Sequence, residues 1–159
     1  MTTTAVRTPS AVLRRGGDVM NERIAIAPRQ GDNPPRPEDA AWVGHLRRIA
    51  TAKLNHWGLG ALAGDVSLIS SEFLTNAVLH SGATHIMLKL AVRDGCLHIT
   101  VIDGMPGCAV LTDPGDDSES GRGLWLVDLL AKERGGTWGT RADGAETWCA
   151  LPLPADECA

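Results

Sequence analysis

THIMLKLAVRDG at residues 84–95 runs directly into CLHITVIDG at residues 96–104. In both halves apolar and polar residues alternate with a period of two, which places every second side chain on one face of a strand. The junction, Asp94-Gly95, is a pair that readily adopts the left-handed backbone of a tight hairpin turn. The stretch therefore reads as a β-hairpin, and such a hairpin needs a second layer to cover its apolar face.

Candidate layers lie on both sides. Upstream, DVSLISSEFLTNAVLH at 65–80 sets Val66, Ile69, Phe73, Ala77 and His80 on one side of a helix that begins at Asp65, a good N-cap residue, and stops before Gly82. Before it, PEDAAWVGHLRRIATAKLNHW at 37–57 carries Trp42, Leu46, Ile49 and Leu54 near helical spacing, with Pro37 and Glu38 suited to a first turn and Gly58 just past the end. The proline-rich PRQGDNPPRP at 28–37 reads as a linker, because proline removes donors and fixes the backbone dihedral. NERIAIA ahead of it suggests a first strand over about 22–27. Downstream, GLWLVDLLAKE at 123–133 reads as a helix, and GTWGTRADGAETWCALPLP at 136–154 as a closing hairpin turning at Asp143-Gly144. The order strand, helix, helix, hairpin, helix, hairpin suits one sheet with helices on one face. Residues 1–21 and 154–159 read as tails around a single domain over 22–153.

Composition narrows the function. A chain of 159 residues with 43% apolar and 21% charged residues is ordinary globular usage for one domain. A formal charge of -4 argues against a nucleic-acid surface, which normally carries a basic excess. Cys96, Cys108, Cys149 and Cys158 have no paired zinc spacing and no dense disulfide pattern, so free thiols in a reducing cytoplasm fit best. The sequence has no apolar run of membrane-spanning length, and no membrane partner is expected. The five histidines lack metal-ligand spacing, and no Gly-x-Ser-x-Gly elbow surrounds Ser70 or Ser71.

Three short segments carry the chemistry. Glu72 and Asn76 stand one helical turn apart on the same side, where a carboxylate could act as a base and a carboxamide oxygen could meet Mg2+; the same pair would also suit a solvated polar face. Asp103, at the end of a β-branched strand, could accept a hydrogen bond from the exocyclic amine of adenine, with Gly104 and Gly107 allowing close backbone approach; it could equally be an Asp-Gly turn. Gly121 and Gly123 precede a helix whose first amides and dipole favour phosphate, with Arg122 as a cationic contact, although capping alone would look similar. The polar stretch from Cys108 to Ser120 has the length of a lid.

In their order and spacing these segments resemble the GHKL, or Bergerat-fold, ATPases, and particularly the small bacterial anti-sigma-factor serine kinases. The likeness covers about residues 22–153 and is most specific in SEFLTNAVLHSGA and SGRGLWLVDLLA. It implies an α/β (α+β) two-layer sandwich with a mixed, mostly antiparallel sheet, and ATP with Mg2+ as ligands. It assigns Glu72 as general base, Asn76 as Mg2+ ligand and Asp103 as adenine reader. Gly104, Gly107, Gly121, Arg122, Gly123 and Leu124 would line the nucleotide, and Thr147 would assist beside Asp103. It further implies phosphate transfer to a serine or threonine of an STAS-type anti-sigma-factor antagonist, or sequestration of a sigma factor, with a homodimer as an available assembly. A non-catalytic nucleotide-dependent binding module and a water-using ATPase are the alternatives. The acidic run through Asp113, Asp116, Asp117 and Glu119 departs from what a triphosphate would favour. No phospho-acceptor histidine helix is present, which points to a stand-alone module.

Overall fold

The computed structural model describes residues 16–27, 33–80, 82–105 and 119–154, with side chains for all but 119–122. In chain order the elements are β1 (Gly17–Ala25), α1 (Pro37–His56), a single 3-10 turn (Gly60–Leu62), α2 (Ala63–His80), β2 (His85–Arg93), β3 (Cys96–Ile102), α3 (Glu119–Glu133), β4 (Thr137–Arg141) and β5 (Glu146–Pro152). The five strands form one sheet in the order β1-β2-β3-β5-β4.

The hairpin is where local sequence puts it. Asp94 and Gly95 take φ values of 53° and 75°, the left-handed pair of a two-residue turn, and Arg93 faces Cys96 across it. Two expectations change. The sheet is antiparallel at every described pairing rather than mixed. The crossover through α3 carries the chain from β3 to the far edge, and β5 then returns between β3 and β4, so the two parallel-running strands never touch. The first strand also begins earlier than 22, inside the stretch read as a tail. Gly17 pairs with Val92, an irregularity follows between Asp18 and Met20, and both Val19 and Met20 are buried. Those two apolar residues gain a core that the polar composition around them does not announce.

One face of the sheet is the core. Ile86, Leu88, Leu90 and Val92 of β2, Leu97, Ile99 and Val101 of β3, and Cys149 and Leu151 of β5 are buried there. Val66, Ile69, Phe73 and Ala77 of α2 pack onto them as the helical spacing requires, but His80 is exposed at the helix end. In α1 the buried stripe centres on Leu46, Ala50 and Leu54, leaving Trp42 and Ile49 half-covered. Cys96 and Cys149 are free thiols, and burial pushes Cys149 up to about 12, so it acts as a small core hydrophobe. No described helix is long and apolar enough to cross a membrane.

Two polar clamps fix the helices. Asp39, buried at the start of α1, accepts the Ala27 backbone N–H at 3.1 Å and the Arg36 Nε and Nη2 donors at 3.1 and 3.0 Å. It thereby ties the helix to the chain leaving β1. Arg134, just beyond α3, pairs with Asp65 in the first turn of α2. That ion pair sets α2 and α3 antiparallel, with the start of one against the end of the other.

Candidate functional site

The chain leaves α2 at His80 and re-enters the sheet at His85, and Met87 two residues later pairs with Ile102. The exit of β3 therefore lies beneath the C-terminal end of α2. Because α3 runs antiparallel to α2, its own N-terminus also lies toward this end. Three of the segments singled out in the sequence are thus carried to one end of the molecule by three different elements.

The contact that joins two of them is between Glu72 and Gly123. A Cβ placed on Gly123 would overlap the Glu72 carboxylate, with Cδ only 2.9 Å away. The bare backbone of the α3 first turns is thus the surface on which the Glu72 side chain rests. Glu72 has no ion pair or hydrogen-bond partner among the described residues, and burial pushes its carboxyl above the ordinary value of 4.5. Asn76 follows one turn later on α2, half-buried, and its carboxamide is also without a hydrogen-bond partner among the described residues. Leu124 turns inward, 3% exposed, and anchors α3 in the core immediately after Gly123.

Asp103 is organised by its own turn. Its backbone N–H donates to the Ala145 carbonyl at 3.0 Å, continuing the β3–β5 pairing by one residue, and its Oδ1 accepts the Met105 N–H at 2.9 Å. Gly104 between them takes φ 69°, a conformation L side chains rarely adopt. Burial raises the Asp103 carboxyl above its ordinary 3.8, and the Met105 N–H opposes that only in part. Among the described residues the second carboxylate oxygen accepts no hydrogen bond from another residue. Thr147 lies directly opposite Val101, which is buried on the helix-facing side, so Thr147 shares that side and stands diagonally across from Asp103.

The helix start differs from the expectation. α3 begins at Glu119, not at Gly123, so Gly121, Arg122 and Gly123 lie within its opening turns instead of ahead of them. Gly107 and the stretch read as a lid, up to residue 118, lie outside the described residues, and the Arg122 side chain is not described.

Sequence reasoning missed the residues that hold the site in place. Asp65 is not the N-cap of α2, which begins at Ala63, but the partner of Arg134. Asp128 of α3 accepts the Trp138 indole N–H at 3.0 Å and pairs with Lys132 at 2.8 Å, which fastens α3 to β4. The Asp65–Arg134 pair and the Trp138–Asp128 hydrogen bond join different elements, and no local pattern signals them.

Chemically, the arrangement offers a desolvated carboxylate and a carboxamide on one helix, the amides of a facing helix start, and a hydrogen-bonded aspartate at a strand end. A search of curated proteins gave no match. The family model described as histidine kinase-like ATPase domain matches residues 36–147, a span that contains Glu72, Asn76, Asp103, Gly121, Gly123 and Thr147. With that match over most of its length, this chain belongs to the histidine kinase-like ATPase domain family, of GHKL type, and is an ATP-binding protein.

Proposed function

We propose that this protein is an ATP-dependent protein serine/threonine kinase of the anti-sigma-factor type. The observation that carries the reading is the seating of the Glu72 carboxylate against Gly123. It brings a base with a raised pKa to the opening turns of α3, whose dipole would favour phosphate.

In this reading Asp103 accepts a hydrogen bond from the exocyclic amine of adenine through its uncommitted oxygen, assisted by Thr147. Gly104 keeps the nearby backbone open to the base. The positive end of the α3 dipole, in the opening turns that contain Gly121, Arg122 and Gly123, receives the phosphate charge. Mg2+ supplies charge neutralisation on the phosphates. The described residues contain no group of three or more His, Cys, Asp or Glu side chains able to hold a metal alone. That suits an ion which keeps waters and phosphate oxygens and takes few protein ligands, with Asn76 as the protein ligand.

Glu72 removes the proton from the attacking seryl or threonyl hydroxyl. The hydroxyl oxygen of that serine or threonine forms the new bond to the γ-phosphorus as the bond to the bridging oxygen breaks, leaving ADP, and the proton stays on Glu72. An STAS-type anti-sigma-factor antagonist is the proposed acceptor and a sigma factor the proposed second partner, in the bacterial cytoplasm. The test is transfer from γ-labelled ATP with Mg2+ to a purified antagonist domain. Label on the antagonist with wild type and none with Glu72→Gln is the expected result; equal labelling by both proteins would overturn the reading.

A further inference from the structure

A groove of about 490 Å³ runs between α1 and α2. Ala40, Val43 and Gly44 of α1 and Val78 of α2 give it an apolar floor, and Thr75, next to Asn76, lies along it. Arg47 and Arg48 form its rim. Both side chains fold back along the helix over Gly44: a Cβ at that position would lie 3.8 Å from Arg48 Nη1 and 3.9 Å from Arg47 Nη2. Two guanidinium groups thus converge on one glycine, both exposed to solvent.

Like charges so close call for counter-charge, and the two helices supply none. The acids of α1, Glu38 and Asp39, are both engaged by Arg36. Those of α2 are Asp65, paired with Arg134, and Glu72, turned toward Gly123. Neither Arg47 nor Arg48 has a side-chain ion pair among the described residues. In a chain whose formal charge is -4, this leaves a positive rim over an apolar floor with no acidic partner for Arg47 or Arg48 among the described residues.

From this juxtaposition we infer that the α1–α2 groove is a docking site for an amphipathic helix of a partner protein. The partner inserts apolar side chains between Val43 and Val78 and places carboxylates on Arg47 and Arg48. An apolar stripe laid into a groove supplies burial, and bidentate guanidinium–carboxylate pairs fix register and select acidic over basic partners. The site goes beyond the phosphotransfer reading, since its lining includes neither Glu72 nor Gly123 and it does not need ATP.

The test uses fluorescein-labelled synthetic helical peptides of about 14 residues, long enough for a marginal helix in water. Each carries Leu at i, i+3, i+4 and i+7, and the flanking positions are Glu in one peptide and Lys in the other. Anisotropy is read against the full chain. The expected result is saturable binding of the Glu peptide, weakened by salt, with the Lys peptide at least about tenfold weaker. Arg47→Glu with Arg48→Glu reverses that preference, and Gly44→Leu, which fills the floor, weakens the Glu peptide. Equal affinity for both peptides, or a preference left unchanged by the double variant, would overturn the inference. ATP titration of the same variants should match wild type. Loss of ATP binding by wild type itself would count against the kinase reading and leave the groove result standing.

Discussion

The carboxylate of Glu72 occupies the space that a side chain at Gly123 would fill. Glycine at 123 is therefore required by the neighbouring helix, not by backbone strain, since it lies within the regular turns of α3. The clashing atoms belong to the flexible end of Glu72, so the fold can accommodate a methyl group by moving the carboxylate. Gly123→Ala should leave thermal stability unchanged or raise it by up to about 1 kcal/mol through helix propensity. On the proposed role of Glu72 as base it should lower phosphate transfer by about tenfold or more, because the displaced carboxylate is out of reach. Thermal melts beside initial transfer rates separate the two effects.

Glu72→Gln keeps the shape and removes the proposed base. Loss of a positioned general base lowers transfer by about 10²–10⁴-fold. In wild type the acidic limb of the rate should titrate above the ordinary value of 4.5, because burial raises Glu72; in the variant that limb should vanish. A pH series of transfer rates on both proteins checks this.

The same desolvation has a cost in stability. Glu72 and Asp103 both sit above their ordinary values of 4.5 and 3.8, so the folded chain holds these protons more tightly than the unfolded chain does. Their contribution to stability is fully present below the unfolded values and is lost as pH rises through the raised folded ones. Glu72→Gln with Asp103→Asn should therefore melt higher than wild type near neutral pH, and the difference should shrink as pH falls toward 4. A constant difference at every pH would contradict the account.

Asp39 works in the opposite sense. The hydrogen bonds from Arg36, with help from the Ala27 N–H, hold its carboxyl below the ordinary 3.8 against the cost of burial. Its contribution is present above 3.8 and is lost as pH falls through the lowered folded value. Asp39→Ala leaves the Ala27 N–H without its acceptor and should cost about 1–3 kcal/mol. Urea melts at neutral pH measure it.

Ser70 offers a stabilising change. Its hydroxyl is fully buried on α2 and has no hydrogen-bond partner among the described residues. Ser70→Ala removes the unsatisfied group and improves helix propensity, so urea melts should show a gain of about 1 kcal/mol with ATP affinity unchanged.

What was legible in the sequence was local. Asp94-Gly95 fixes the hairpin through dihedral preference, and the alternation on either side fixes which face is buried. The Glu72–Asn76 spacing is readable because four residues make about one helical turn. The meeting of Glu72 with Gly123 was not readable, since it depends on the crossing of α2 and α3 that the Asp65–Arg134 pair and the Trp138–Asp128 hydrogen bond help set. The start of β1 at Gly17 was hidden for a related reason: Val19 and Met20 are strand residues only because β2 lies beside them.

The account turns on Asp103 reading adenine at the same site that Glu72 serves. Isothermal titration of wild type and Asp103→Asn with ATP and with GTP, in Mg2+, tests this most directly. The account predicts one saturable ATP site in wild type, no comparable heat with GTP, and at least about tenfold weaker ATP binding in Asp103→Asn, from a charge-assisted hydrogen bond lost. Unchanged ATP affinity in Asp103→Asn, or equal binding of ATP and GTP by wild type, would contradict it.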